Sequence, residues 1–180
     1  MIFSETSVVG AYLIDVERLE DDRGFFARSF CMHEFEARGL KSFTAQCNLS
    51  FNKHKGTLRG MHYQTEPATE TKLVRCTRGA VYDVIVDLRP DSPSYLKHIG
   101  VELSQDNHRA LYVPEMCAHG YLTLTDDAEV SYQVSEFYTP GAEGGLRYDD
   151  PALGIEWPTE VTLTSEKDAN WPLLKPLQAS

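Results

Sequence analysis

Short apolar runs alternate along this chain with closely spaced glycine and proline. Breaks fall at Gly56, Gly60, Gly79, Pro90, Pro93, Gly100, Pro114, Gly120 and Pro140. The segments between them are rich in Val, Ile, Leu, Tyr and Thr, side chains that suit a pleated, half-buried surface. The clearest runs from Ala80 to Leu88 (AVYDVIVDL). Its length, its β-branched content and its bounds at Gly79 and Pro90 predict a strand. Lys72 to Thr77 predicts the strand before it, with Thr77-Arg78-Gly79 as the turn. Arg109 to Val113, Gly120 to Thr125 and Ala128 to Phe137 predict further strands, the last pair joined at Asp126-Asp127. Asn48 to Gly56 reads as a loop. Helix is expected in two places. Met32 to Arg38 ends at a C′ glycine, Gly39, and a short helix starts near Ser165, an N-cap before an acidic first turn. The pattern predicts a mainly β domain, a sandwich or barrel with small helical additions.

The 180 residues fit one domain. A chain of this length buries roughly 70 % of its unfolded surface and needs no staples. The formal net charge of −10 argues against nucleic acid, which requires cations to displace counterions from phosphates. It still leaves room for a small anionic ligand in a local basic cleft. No apolar stretch approaches the length of a membrane span, and Met1 to Glu5 shows no basic region leading into an apolar run, so no secretory signal is expected. Cys31, Cys47, Cys76 and Cys117 form no CxxC pair. They are expected as free thiols in the cytoplasm.

The chemistry-bearing residues sit in three stretches. In Gly56-Thr57-Leu58-Arg59-Gly60-Met61-His62-Tyr63-Gln64, Arg59 and His62 are three positions apart, which would put them on opposite faces of a regular strand. Gly60 permits a bulge that could re-aim one of them. A lone histidine in a strand is more often packed or surface-bound than catalytic. Its weight rises because Lys72, His119 and Tyr132 occupy comparable positions. His119 follows a proline-led turn, and Tyr132 falls mid-strand, where a core aromatic is the plainer reading. Lys167-Asp168 lies close to Trp171. A metal is not expected: Met61-His62-Tyr63 lacks the paired H-x-H of metal-binding barrels, and His62 with His119 alone gives too few ligands.

Taken in order, these stretches resemble the dTDP-4-dehydrorhamnose 3,5-epimerase family of the cupin superfamily. The matching segments are Asp22-Arg23-Gly24-Phe25-Phe26, Leu58 to Gln64, Lys72-Leu73-Val74, Asp83 to Arg89, Val113-Pro114-Glu115, Ala118-His119-Gly120, Tyr132, Tyr138, Asp149-Asp150-Pro151, Trp157-Pro158 and Ser165 to Asp168. Together they cover about residues 8 to 172. The resemblance implies a cupin jelly-roll β-sandwich that inverts carbons beside the ketone of a nucleotide-linked 4-keto-6-deoxyhexose, without metal or redox cofactor. It implies His62 as base, Asp168 as its support, Tyr132 as acid on the opposite face and Lys72 as stabiliser of the developing oxyanion. Substrate contacts are implied at Arg23, Arg59, His119 and Lys167, at Gln46, Asn48 and Glu143, and at Tyr138, which would stack on the base.

This chain departs from the family pattern at Arg28, where a carboxylate at the nucleoside end is usual; Arg28 is carried over as a substrate contact of reversed charge. Met116 and Cys117 replace a glycine and an aromatic and are expected near the cleft. Family members are homodimers, and Ser7 to Val16 is apolar enough to be a strand that pairs with the partner. The alternatives are a single-position epimerase on another nucleotide sugar, a ketoisomerase (disfavoured by the missing H-x-H) and a cupin that binds a nucleotide sugar without turnover.

Overall fold

A computed structural model of the chain describes residues 1–174. The strands are β1 (Ile2–Glu5), β2 (Tyr12–Asp15), β3 (Leu19–Asp21), β4 (Gly24–Phe26), β5 (Gln46–Asn52), β6 (Leu58–Gln64), β7 (Lys72–Arg78), β8 (Ala80–Asp87), β9 (His98–Ser104), β10 (Ala110–Val113), β11 (Cys117–Thr123), β12 (Ala128–Val134) and β13 (Glu143–Gly145). Two short helices accompany them, α1 (Met32–Glu36) and α2 (Glu166–Ala169). Two antiparallel sheets form the sandwich. One has the order β1-β2-β10-β7-β12-β5 and the other β13-β6-β11-β8-β9, while β3 and β4 make a separate hairpin.

Alternation along each strand divides the apolar residues among three clusters. Val74, Cys76, Val81, Ile85, Leu111, Val113, Val130 and Tyr121 fill the space between the sheets. The outer face of the six-stranded sheet is covered by α1, where Phe35 packs with Leu73 and Tyr112. The outer face of the five-stranded sheet carries Met61, Val84, Val86 and Ala118, packed with Leu146, Leu153 and Trp157 from the C-terminal segment.

The predicted strands appear with shifted ends: β11 begins at Cys117 rather than Gly120, and β12 stops at Val134 rather than Phe137. Helix α1 ends as its sequence dictates. Gly39 takes φ +70°, and the Leu40 and Gly39 amides donate back to the Phe35 and Glu36 carbonyls. Ser165 caps α2 by accepting from the Asp168 amide at 3.0 Å.

Several strands depart from the sequence pattern. β1, β3, β4, β9 and β13 were not predicted, and the expected loop from Asn48 is strand as far as Asn52. The cause is an inverted pattern in β5. Gln46, Asn48, Ser50 and Asn52 turn inward, while Cys47, Leu49 and Phe51 are exposed outside. Polar-in and apolar-out does not register as an amphipathic strand unless the inside is a binding site.

Candidate active site

The site begins with an extra residue in β6. Against β11, His62 pairs with His119 and Arg59 with Tyr121, so three steps on β6 match two on β11. This is the bulge that Gly60 was expected to permit, and it puts Arg59 and His62 on the same, inward face. Only glycine fits there. Gly60 has φ +133°, and a Cβ on it would lie 2.4 Å from the Gly120 Cα.

His62 meets Asp168, delivered by α2 from more than a hundred residues away. Nε2 of His62 is 2.7 Å from Asp168 Oδ1. An ionised carboxylate only accepts, so Nε2 carries the proton and Nδ1 is left as the basic nitrogen. The other carboxylate oxygen accepts from the Gly60 amide at 3.2 Å. Burial pulls the Asp168 pKa upward, but the bonds from His62, Gly60 and Ser165 outweigh it and hold the carboxyl below its usual value. Trp171 lies edge-on to the His62 ring, with centroids 6.4 Å apart.

From the facing sheet come Lys72 on β7 and Tyr132 on β12. Lys72 Nζ is 3.4 Å from the His62 carbonyl and 3.3 Å from Glu70 Oε1. Burial above all raises the Tyr132 phenol pKa, and the nearby Glu70 charge adds to the effect. On β11, His119 Nε2 lies 2.9 Å and 3.0 Å from the two oxygens of the fully buried Asp83.

These side chains open into a cleft of two joined chambers. The larger, about 470 Å³, is lined by Arg59, His62, Lys72, His119, Tyr132 and Asp168, with Glu143 and Lys167 at its side. The second, about 320 Å³, shares His62, Lys72, Tyr132 and Glu143 and adds Gln46, Asn48 and Tyr138. Lys167 is paired with Glu143, and the Tyr138 hydroxyl donates to the same carboxylate at 3.4 Å. Three cations, Arg59, Lys72 and Lys167, thus face the cleft beside three carboxylates, Glu70, Glu143 and Asp168.

The structure therefore brings together His62, Tyr132, Asp168, Lys72, Gln46, Asn48, Arg59, His119, Tyr138, Glu143 and Lys167. It does not bring in Arg23 or Arg28. Arg23 sits at the tip of the β3–β4 hairpin, 90 % exposed and paired with Asp21. Arg28 lies 3.9 Å from Glu34, in a separate hollow with Met1, Glu17 and Phe26. Met116 and Cys117 were expected near the cleft and line neither chamber. Cys117 faces inward two residues before His119, where the interior is closed by the core cluster of Val8, Ala11 and Val113; burial there raises its thiol to about 12.

Ser50, Asn52, Glu70, Asp83 and Tyr121 went unremarked in the sequence. Asp83 alone left a signal, a carboxylate in the middle of the most apolar strand. Among the described residues no group of three or more His, Cys, Asp and Glu side chains is placed to hold a metal ion.

A cupin-like β-sandwich with an imidazole–carboxylate pair, an ammonium and a phenol facing one cleft is built for moving protons. The sequence model of the dTDP-4-dehydrorhamnose 3,5-epimerase family matches residues 5–176. A dTDP-4-dehydrorhamnose 3,5-epimerase of Sinorhizobium fredii is 42 % identical, covering 100 % of this chain and 93 % of its own. The crystal structure of the enzyme of that name from Elizabethkingia anophelis superimposes with a TM-score of 0.94 at 37 % identity, covering 96 % of each chain. That from Bacillus anthracis, with TDP and PPi bound, gives 0.92 at 41 % identity, covering 96 % of this chain and 99 % of its own. The chain belongs to the dTDP-4-dehydrorhamnose 3,5-epimerase family and is an isomerase.

Proposed function

We propose that the chain epimerises a nucleotide-linked 4-keto-6-deoxyhexose at carbon 3, carbon 5 or both, by proton removal and return. The observation that carries this reading is the His62–Asp168 pair opening into the same cleft as Tyr132 and Lys72. Nδ1 of His62 takes the proton from a carbon beside the ketone. The C–H electron pair passes into an enolate whose charge rests on the former ketone oxygen, beside the Lys72 ammonium. The Tyr132 hydroxyl then protonates the carbon from the other face, and solvent restores both groups. Asp168 holds the imidazole in the tautomer with a free Nδ1 and stabilises the imidazolium formed.

Arg59 and His119 would meet the diphosphate, with Lys167 beside them, as suits a relative that holds TDP and PPi. Gln46, Asn48 and Glu143 present amides and a carboxylate to hydroxyls and the base, and Tyr138 offers a ring to stack on it. Four unpaired cysteines among the described residues suit a cytoplasmic setting.

The assembly we propose is a symmetric dimer. The β3–β4 hairpin exposes Leu19, Phe25 and Phe26, and the outer face of β5 exposes Leu49 and Phe51. Such surfaces are normally covered. Within the described residues β2, from the Ser7–Val16 segment expected to pair with the partner, is flanked by β1 and β10 of its own chain, and β1 lies at the sheet edge. In that arrangement Arg23 and Arg28 would act at the partner's cleft rather than their own.

Proton NMR in heavy water over a panel of nucleotide-linked 4-keto sugars tests the function. Deuterium should enter at carbon 3, carbon 5 or both, and His62→Ala should abolish exchange. No exchange with any member of the panel would overturn the reading, and binding without exchange would leave a binder.

A further inference from the structure

The inward row of β5 does not stop at Gln46 and Asn48. It continues through Ser50 to Asn52, which is polar and only 2 % exposed. The Asn52 amide nitrogen lies 3.2 Å from the Ala128 carbonyl, 3.4 Å from the Ser50 carbonyl and 3.3 Å from the Tyr121 hydroxyl. The two carbonyls only accept, so that end of the side chain must be the NH2 group. Oδ1 is thereby turned to Arg59, whose Nε donates to it at 2.7 Å. The bonds run one way: Arg59 donates to Asn52, Asn52 to Tyr121, and the Tyr121 hydroxyl to Ser50 Oγ at 2.8 Å. Bonds linked head to tail in a buried site reinforce one another.

We propose that Asn52 is a positioning residue that pre-aims Arg59 at the phosphates of the nucleotide sugar. This rests on the reading of Arg59 as a diphosphate contact. Asn52 occupies only Nε, and Arg59 forms no ion pair among the described residues, so both terminal nitrogens are left to grip an anion as a fork. A free arginine would have to give up several rotamers on binding; one already held loses fewer, and affinity rises accordingly. The carbonyls of Ser50 and Ala128 fix the amide, and the amide fixes the guanidinium. Affinity for the phosphates thus depends on the pairing of β5 with β12.

Calorimetric titration of TDP into the full chain tests this, alongside KM and kcat with the nucleotide sugar. Asn52→Ala should weaken TDP about tenfold and raise KM similarly, with kcat changing less than twofold. In an Arg59→Ala background the same substitution should weaken TDP no further. Additive losses, or a fall in kcat at constant KM, would overturn the proposal. If Arg59→Ala leaves TDP affinity untouched, the diphosphate reading itself fails; if Arg59→Ala weakens binding and Asn52→Ala does not, only the positioning role fails. Should Asn52→Ala not fold, Tyr121→Phe keeps the ring and removes one anchor of the amide. It should weaken TDP two- to threefold, again not additively with Arg59→Ala, and additivity there would also overturn the proposal.

Discussion

Asp168 uses its two oxygens for two tasks, one on the His62 imidazole and one on the backbone bulge that carries it. Asp168→Asn should therefore cost more than a lost charge, because its amide can present NH2 to the imidazole and invert the tautomer. Deuterium exchange should fall about 10²-fold or more at neutral pH. The same carboxyl links stability to pH. Its folded pKa lies below the ordinary 3.8, so its stabilising contribution is complete above that value and disappears as pH falls through the folded one. Acid unfolding followed by circular dichroism should accordingly be less steep in Asp168→Asn. Tyr132 runs the other way. Its phenol is raised above 10.0, so it remains a proton donor through neutral pH. Ultraviolet difference titration against Tyr132→Phe should place its ionisation above the usual phenol range, with its contribution to stability lost as pH rises through that point. His62, Lys72, Tyr132 and Asp168 were legible in the sequence because their spaced motifs carry the family resemblance. Asn52 and Glu70 were not, because each acts by holding another side chain, and that relation exists only once distant strands are adjacent.

At the scale of elements, the single extra residue in β6 matters most. Without it His62 would point out of the sandwich, towards Val84, Val86 and Ala118. Gly60→Ala combines a left-handed φ with a backbone collision. It should destabilise the chain by roughly 2–3 kcal/mol, lowering Tm by on the order of 5–10 °C in calorimetry, and should disturb both His62 and Arg59. The bulge could be anticipated, because two functional residues at an odd spacing with glycine between them leave few other solutions. β5 could not. Hydrophobic periodicity assumes that the inside is oily, and β5 lines a place where it is wet. β9 has a different difficulty: His98, Gly100 and Glu102 interrupt its apolar pattern, so no continuous apolar run shows in it. α2 was found through Ser165 and the acidic first turn after it, a case where one capped end specifies an element of four residues.

For the molecule as a whole, the sandwich followed from punctuation and strand content, whereas the pairing of strands distant in sequence did not. In the proposed dimer, exposed Leu49 and Phe51 and the β3–β4 hairpin would be covered by the second copy. Sedimentation should give a dimer at micromolar concentration, and Leu49→Lys with Phe51→Glu should shift it to monomer and reduce turnover at the same time. The strands that carry the site are also the strands that make the oily interior: Lys72 is two residues from Val74 on β7, and Tyr132 two from Val130 on β12. Among the described residues, Lys72 and Tyr132 sit on strands of the core and on no separate module that could loosen by itself. Warming should therefore extinguish turnover and melt the chain along one curve, with no interval in which an intact but idle enzyme persists.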